Sequence, residues 1–300
     1  MPELEYFIVD VFTETPLAGN PLAVVMNTCA LPTEKMQAIA KEFNLSETTF
    51  VERRPPPIED AEGVRVRIFT PEEELNFAGH PTLGTASILK LHAPETVQDN
   101  TVKLALNSGV VPVHYAPGGL YGEMKQRDPV FGAELDAADV ARLTGLAEDD
   151  LDPSLPPQVV STGTAFAIVA LRSVAALGRL RVNQQEATPW LRERGGRWFH
   201  VLAPVPVQNQ RPAQQKEWRA RMQFYGGEDP ATGSAAGCAI SYLVARGAVP
   251  SGERIHVRQG VEIGRPSDLY LSAKIHSARV TDVRVAGSTV PVASGRIFLA

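Results

Sequence analysis

The chain has 300 residues, enough for two domains of about 150 each, a size at which folding buries roughly two-thirds of the unfolded surface. Its 29 Lys and Arg against 34 Asp and Glu give a net charge of −5, and no basic tract with interleaved aromatics is present, which argues against nucleic acid as a partner. Two cysteines, Cys29 and Cys238, are too few and too far apart for a disulfide framework, and no apolar run approaches the ~18 residues of a membrane span. An acidic start with no signal-peptide pattern adds to the expectation of a soluble, cytoplasmic protein.

In chain order, EYFIVDVF reads as a strand, TPLAGNP as a turn and LAVVM as a second strand, a hairpin-like opening. From Thr33, placed as a helix cap, Met36, Ile39, Ala40 and Phe43 recur at helical spacing, and Asn44 suits a left-handed helix end. SETTFVE (46–52) alternates as a strand. Residues 53–60, with Pro55, Pro56 and Pro57, read as a surface loop, and VRVRIFT (64–70) as a further strand. TLGTASILKL, after Gly79, is apolar or small on nearly every side, the signature of a buried helix. Beyond it, TVKLALNSGVVPVHY and GGLYGEM predict strands and turns, 135–146 an amphipathic helix, TAFAIVAL a buried strand and 188–194 a short helix. WFHVLAPV and WRARMQFY predict strands, 230–246 a second small-residue helix, and 254–299 alternating strands and turns.

The chain echoes itself. GHPTLGTASILKL (79–91) aligns without a gap on 228–240, so that His80 falls on Asp229, Pro81 on Pro230, Gly84 on Gly233 and Thr85 on Ser234; GNPLAVV from Gly19 is echoed by GTAFAIV from Gly163. Two echoes in the same order, each displaced by close to half the chain, predict a duplication. Many strands around one buried helix per half predict an α+β fold of two pseudo-symmetric domains, each a curved, mostly antiparallel sheet around a central helix. The boundaries expected are 1–122 and 123–300, with the last ~15 residues returning to the first domain.

Each small-residue helix is expected to start right after its proline, leaving first-turn N–H groups free for an anion. If the halves pack about a pseudo-twofold, His80 and Asp229 meet across one cleft. Rival chemistries fail on detail. Neither turn carries a phosphate-loop lysine or the dinucleotide glycine pattern, the six histidines show no metal-site spacing, and the hydrolase nucleophile motif is absent. No metal and no cofactor are expected. Glu47, in NLSETTF, stands at a strand entry among Leu45, Thr48, Thr49 and Phe50; read alone it is a surface or edge-strand glutamate, and facing the cleft it is an acid/base whose partial desolvation would raise its pKa.

The segments DVFTETPLAGNPLAVV, NLSETTFV, RIFTPEEELNFAGHPTLGTA and YGGEDPATGSAAG together resemble the phenazine biosynthesis PhzF-like family, which shares the diaminopimelate epimerase fold; the likeness spans nearly the whole chain in order. The resemblance implies an active site between two similar domains and a cofactor-independent isomerase of a small carboxylated substrate. Glu47 would be its acid/base, with His80 and Asp229 also catalytic. It further implies Asn20, Ser46, Gly79, Gly233 and Ser234 as substrate-binding residues, and a homodimer. The wider superfamily places a cysteine at each turn; here Ala78 precedes Gly79 and nothing nearer Asp229 than Cys238 is a thiol, so two-thiol racemisation is not expected. A non-catalytic carboxylate-binding protein of the same fold, or a racemase or epimerase without the thiol pair, are the alternative readings.

Overall fold

The computed structural model describes residues 3–29, 31–206, 216–224 and 227–299. The chain divides into two compact units, one of Met1–Lys125 with Ala286–Ala300 and one of Gln126–Val285.

In the first unit, Glu3–Val11 lies between Asn20–Val25 and Thr289–Phe298, antiparallel to both. Asn20–Val25 runs parallel to Glu47–Glu52, because the helix Thr33–Phe43 carries the chain back to the same end of the sheet. Glu47–Glu52 pairs antiparallel with Val64–Phe69, which runs parallel to Thr101–Leu106; this second crossover contains the buried helix Gly79–His92. Gly109–Tyr115 and Gly122–Lys125 continue the sheet antiparallel.

The second unit repeats that plan. Val130–Glu134, Gln158–Ser161 and Ala165–Ala170 pair antiparallel, and Ala165–Ala170 is parallel to Trp198–Pro204 across a crossover that includes the helix Gln184–Glu193. Glu217–Arg221 is parallel to Ile255–Gln259, and the helix between them is Gly233–Ala245. Each unit thus has one parallel crossover through an outer helix and a later one through a helix of small residues, in a sheet otherwise mostly antiparallel. This is the α+β architecture that the strand and helix pattern predicts.

Small residues let the sheet close on the central helix. Every residue from Gly79 to Leu89 is buried, and a Cβ added at Gly84 would stand 2.7 Å from Leu22 Cδ2 and 2.8 Å from Val11 Cγ2. Any side chain there would push the strands off the helix. The outer helices are amphipathic instead: Met36, Ile39 and Ala40 pack against Val25, Phe50 and Phe69, each large apolar side chain contributing about 1.5–3 kcal/mol by burial. No helix of the described residues is long and apolar enough to cross a membrane.

Four local expectations are corrected. Thr33 is not a cap; the helix begins at it, Pro32 holds the cap position, and the Thr33 hydroxyl accepts from Arg67 instead. The proline-rich stretch is not wholly a loop: Pro56–Glu62 is a short helix, because prolines suit a first turn whose N–H groups have no partner, and Glu59 folds back to accept from Arg53 and the Arg54 N–H. The helix expected at 188–194 spans Gln184–Glu193, started by the Asn183 side chain accepting from the Glu186 N–H, with Pro189 inside it. The helix expected from 230 begins at Gly233, leaving Pro230 outside. Asn44 does end its helix left-handed, at φ 50°. Tyr225, the end of one expected strand, lies outside the described residues.

One buried group ties the second unit to pH. Phe199 and Val201 face the outer helices, so His200 between them points to the other side of its strand. It is 1% exposed, and neither ring nitrogen has a hydrogen-bond partner among the described residues. Burial pushes its pKa from 6.5 down to about 4. The folded state therefore holds a neutral ring that the unfolded state protonates. Its stability is complete above pH 6.5 and declines as pH falls toward 4, by on the order of 3 kcal/mol. Chemical denaturation at pH 7 and pH 4.5 checks this: His200→Phe should lose less stability between the two than wild type, and an equal loss would contradict the assignment.

Candidate active site

The site in the first unit is built by a strand, a turn and a helix start. Asn44 ends the helix Thr33–Phe43, half-buried Ser46 follows, and the next strand opens on Glu47, opposite Leu22 in the parallel pair. Strand alternation puts Glu47 and Thr49 on one face. Thr49 is fully buried, with its hydroxyl 2.8 Å from that of Thr85 on the central helix, so this face looks at the helix. Glu47 reaches the first turn of the same helix, where its Oε2 lies 3.3 Å from His80 Nε2, the two side chains being 16% and 4% exposed. The contact is close but not aligned as a hydrogen bond, since His80 Nε2 has no such partner among the described residues.

The other ring nitrogen is met from the turn before the second strand. Asn20, fully buried and opposite Val11, places its Nδ2 3.2 Å from His80 Nδ1. Gly19 makes this possible with φ +67°, in a space where a Cβ would sit 2.5 Å from both Thr13 Cγ2 and the Val11 carbonyl. The Asp10 carboxylate accepts from the Leu17 N–H at 2.7 Å and holds the turn. Gly79 is the first residue of the helix, after Ala78 in an extended conformation. Burial pushes the His80 imidazole from 6.5 down to about 3. The ring is enclosed and Nδ1 faces an amide rather than a charge, so His80 is neutral at neutral pH.

The second unit's turn is built differently. Asp229 is buried and stands four residues ahead of the helix at Gly233, whereas His80 lies within its own helix, so the gapless alignment of the two turns does not carry over to their geometry. Asp229 Oδ2 accepts from the Thr232 hydroxyl at 2.7 Å. Gln259, fully buried, donates from Nε2 to the Asp229 carbonyl at 2.8 Å and to the Thr232 hydroxyl at 2.9 Å, while its Oε1 accepts from the Thr232 N–H. Gln126 Nε2 donates to the Gly233 carbonyl at 2.8 Å, with Thr162 donating to Gln126 Oε1. Ser234, half-buried, is the second residue of the helix. Sequence reasoning missed Gln126, Thr162 and Gln259; nothing local marks them, and only Thr232 lay inside a noted motif.

The thiols stand apart from this chemistry. Cys238 is buried in the second central helix beside Thr162, and burial pushes its pKa up to about 11, so it stays protonated. Cys29 is exposed and donates to the Arg53 carbonyl. Among the described residues, no group of three or more His, Cys, Asp or Glu gathers as metal ligands would.

Residues 9–295 match the family model for phenazine biosynthesis-like proteins. The chain belongs to this family. It is 37% identical to the trans-2,3-dihydro-3-hydroxyanthranilate isomerase of Pseudomonas aeruginosa, over 98% of this chain and 99% of that one. It is 34% identical to an uncharacterized isomerase of Mesorhizobium japonicum, over the whole of both. Among solved structures it is similar to a PhzF-family phenazine biosynthesis protein of Bacillus anthracis, with TM-score 0.83, 26% identity and full coverage of both chains. A predicted epimerase of Pseudomonas aeruginosa follows at TM-score 0.80 and 34% identity, covering 99% and 100%. A probable proline racemase from Agrobacterium radiobacter, 11% identical at TM-score 0.62, shares the fold alone. This member of the phenazine biosynthesis-like family is an isomerase.

Proposed function

We propose that this isomerase moves a carbon-bound proton within a small carboxylated substrate, with Glu47 as the acid/base and no cofactor. The observation that carries the reading is the Glu47 carboxylate, partly shielded from water, 3.3 Å from a neutral imidazole. A carboxylate so placed can take a proton from an sp3 carbon next to a double bond. The C–H electron pair becomes the new double bond, the old one shifts along the allylic system, and Glu47 returns the proton to its far end. Atoms and electrons balance without a redox partner. His80, uncharged, stands beside the carboxylate without neutralising it. In the second unit, the reading assigns Asp229 as a further proton-handling group, and the N–H groups of Gly233 and Ser234, together with Gly79, Asn20 and Ser46 in the first, to holding the substrate.

The names of the relatives supply the substrate class, a dihydro-hydroxyanthranilate, which joins a carboxylate to a ring with allylic C–H bonds. The homodimer expected from the family resemblance remains part of the proposal. The test is purified protein, treated with chelator and dialysed, given trans-2,3-dihydro-3-hydroxyanthranilate and followed by NMR. Conversion to an isomer of unchanged mass is expected. Binding without conversion of this compound or close carboxylated analogues would favour a carboxylate-binding protein instead.

A further inference from the structure

We infer that Asn20 is a positioning residue that fixes His80 in the tautomer with its hydrogen on Nε2, the nitrogen facing Glu47. The placement of the hydrogen rests on the contacts of a buried, neutral ring; its catalytic consequence rests on the function proposed for Glu47.

A neutral imidazole has one N–H and one lone pair, and the group each nitrogen meets decides which is which. Asn20 presents its Nδ2, a donor, to Nδ1 at 3.2 Å, both residues being buried. Nδ1 must then accept, and the hydrogen belongs on Nε2, 3.3 Å from Glu47 Oε2. The backbone that carries Asn20 is held in place, because it opens a strand registered on Val11 and follows a Gly19 enclosed by Thr13 and the Val11 carbonyl. The burial that keeps the ring neutral makes this choice matter, since a charged ring would carry hydrogen on both nitrogens. With Nε2–H toward it, Glu47 rests as a carboxylate, the form that can remove a proton. The other tautomer would aim a lone pair at the carboxylate and favour the protonated acid, the wrong resting form for a base.

The test is the two-bond 1H–15N spectrum of the histidines at neutral pH in the whole protein, with His80 assigned by its disappearance in His80→Gln. The Nε2–H pattern is expected; an Nδ1–H pattern or a charged ring would overturn the inference. Asn20→Asp, nearly the same shape but accepting only, should move the hydrogen to Nδ1 or charge the ring. On the proposed substrate it should also lower kcat at least about tenfold and shift the limb of the pH profile set by the base; a wrong tautomer elsewhere has cost as much as about 10⁴. An unchanged spectrum in Asn20→Asp would remove Asn20 from the role. If that variant does not fold, the wild-type spectrum still decides the tautomer. Failure of the function reading is distinguishable: a Glu47→Gln variant of full activity would refute that reading and leave the His80 spectrum as it is.

Discussion

Glu47→Gln is expected to lower kcat by about 10²–10⁴-fold, the scale attributed to general acid–base catalysis, while substrate affinity changes little. The amide keeps the size of the side chain and its place at the strand entry opposite Leu22. It can still approach His80. What it loses is an oxygen basic enough to take a proton from carbon. Binding to the other polar groups is untouched, so the loss belongs in kcat and not in KM. Isothermal titration of substrate or product alongside initial rates separates the two. Equal affinity with lost turnover is the predicted pair; unchanged turnover would pass the role to His80 or Asp229.

Arg221→Ala is expected to destabilise the protein by about 3–5 kcal/mol, the cost of leaving a buried charge without its partner. Arg221 and Glu228 form a two-pronged pair, Nε to Oε1 at 2.8 Å and Nη2 to Oε2 at 2.6 Å, each side chain 6% exposed. Arg221 Nη1 also donates to the Leu177 carbonyl at 3.0 Å, and Gln223 donates to Glu228 Oε2. The Glu228 carboxylate raises the guanidinium's affinity for its proton further, so Arg221 stays charged throughout the working pH range. Because Glu228 immediately precedes Asp229, the pair also anchors the turn that carries Asp229. Removing both charges, in Arg221→Met with Glu228→Leu, should recover much of the stability, since no orphaned charge remains. Urea unfolding of the two variants measures it. A single-variant cost below about 1 kcal/mol would mean that the pair is solvated like a surface one.

The fold was largely legible because burial imposes period. Met36, Ile39 and Ala40 mark one helix face, and the unbroken small residues from Gly79 mark a helix enclosed on all sides. What the sequence could not show is pairing at a distance. The parallel partnership of Asn20–Val25 with Glu47–Glu52 depends on how Thr33–Phe43 crosses over, not on either strand alone. Helix starts were misread where caps compete: Pro32 displaced Thr33, and Thr232, drawn into the Asp229 and Gln259 hydrogen bonds, delayed the second buried helix to Gly233. The site was legible to the extent that motifs name residues. Glu47 and His80 are brought together, and Asn20 joins them, but its bond to the ring is a matter of which nitrogen it faces. Gln126 and Gln259 look like any surface amide in the sequence and become visible only with the turns they support.

The central claim, that a hydrogen leaves one carbon and the electrons of its bond form a new double bond, is tested most directly by following that hydrogen. trans-2,3-Dihydro-3-hydroxyanthranilate deuterated at the carbon that surrenders the proton would be converted by the enzyme in ordinary water, and the product analysed by NMR and mass. Deuterium is expected to leave its original carbon, appearing at the far end of the allylic system or exchanged into solvent through Glu47. Deuterium retained on the original carbon of the isomerised product would contradict it.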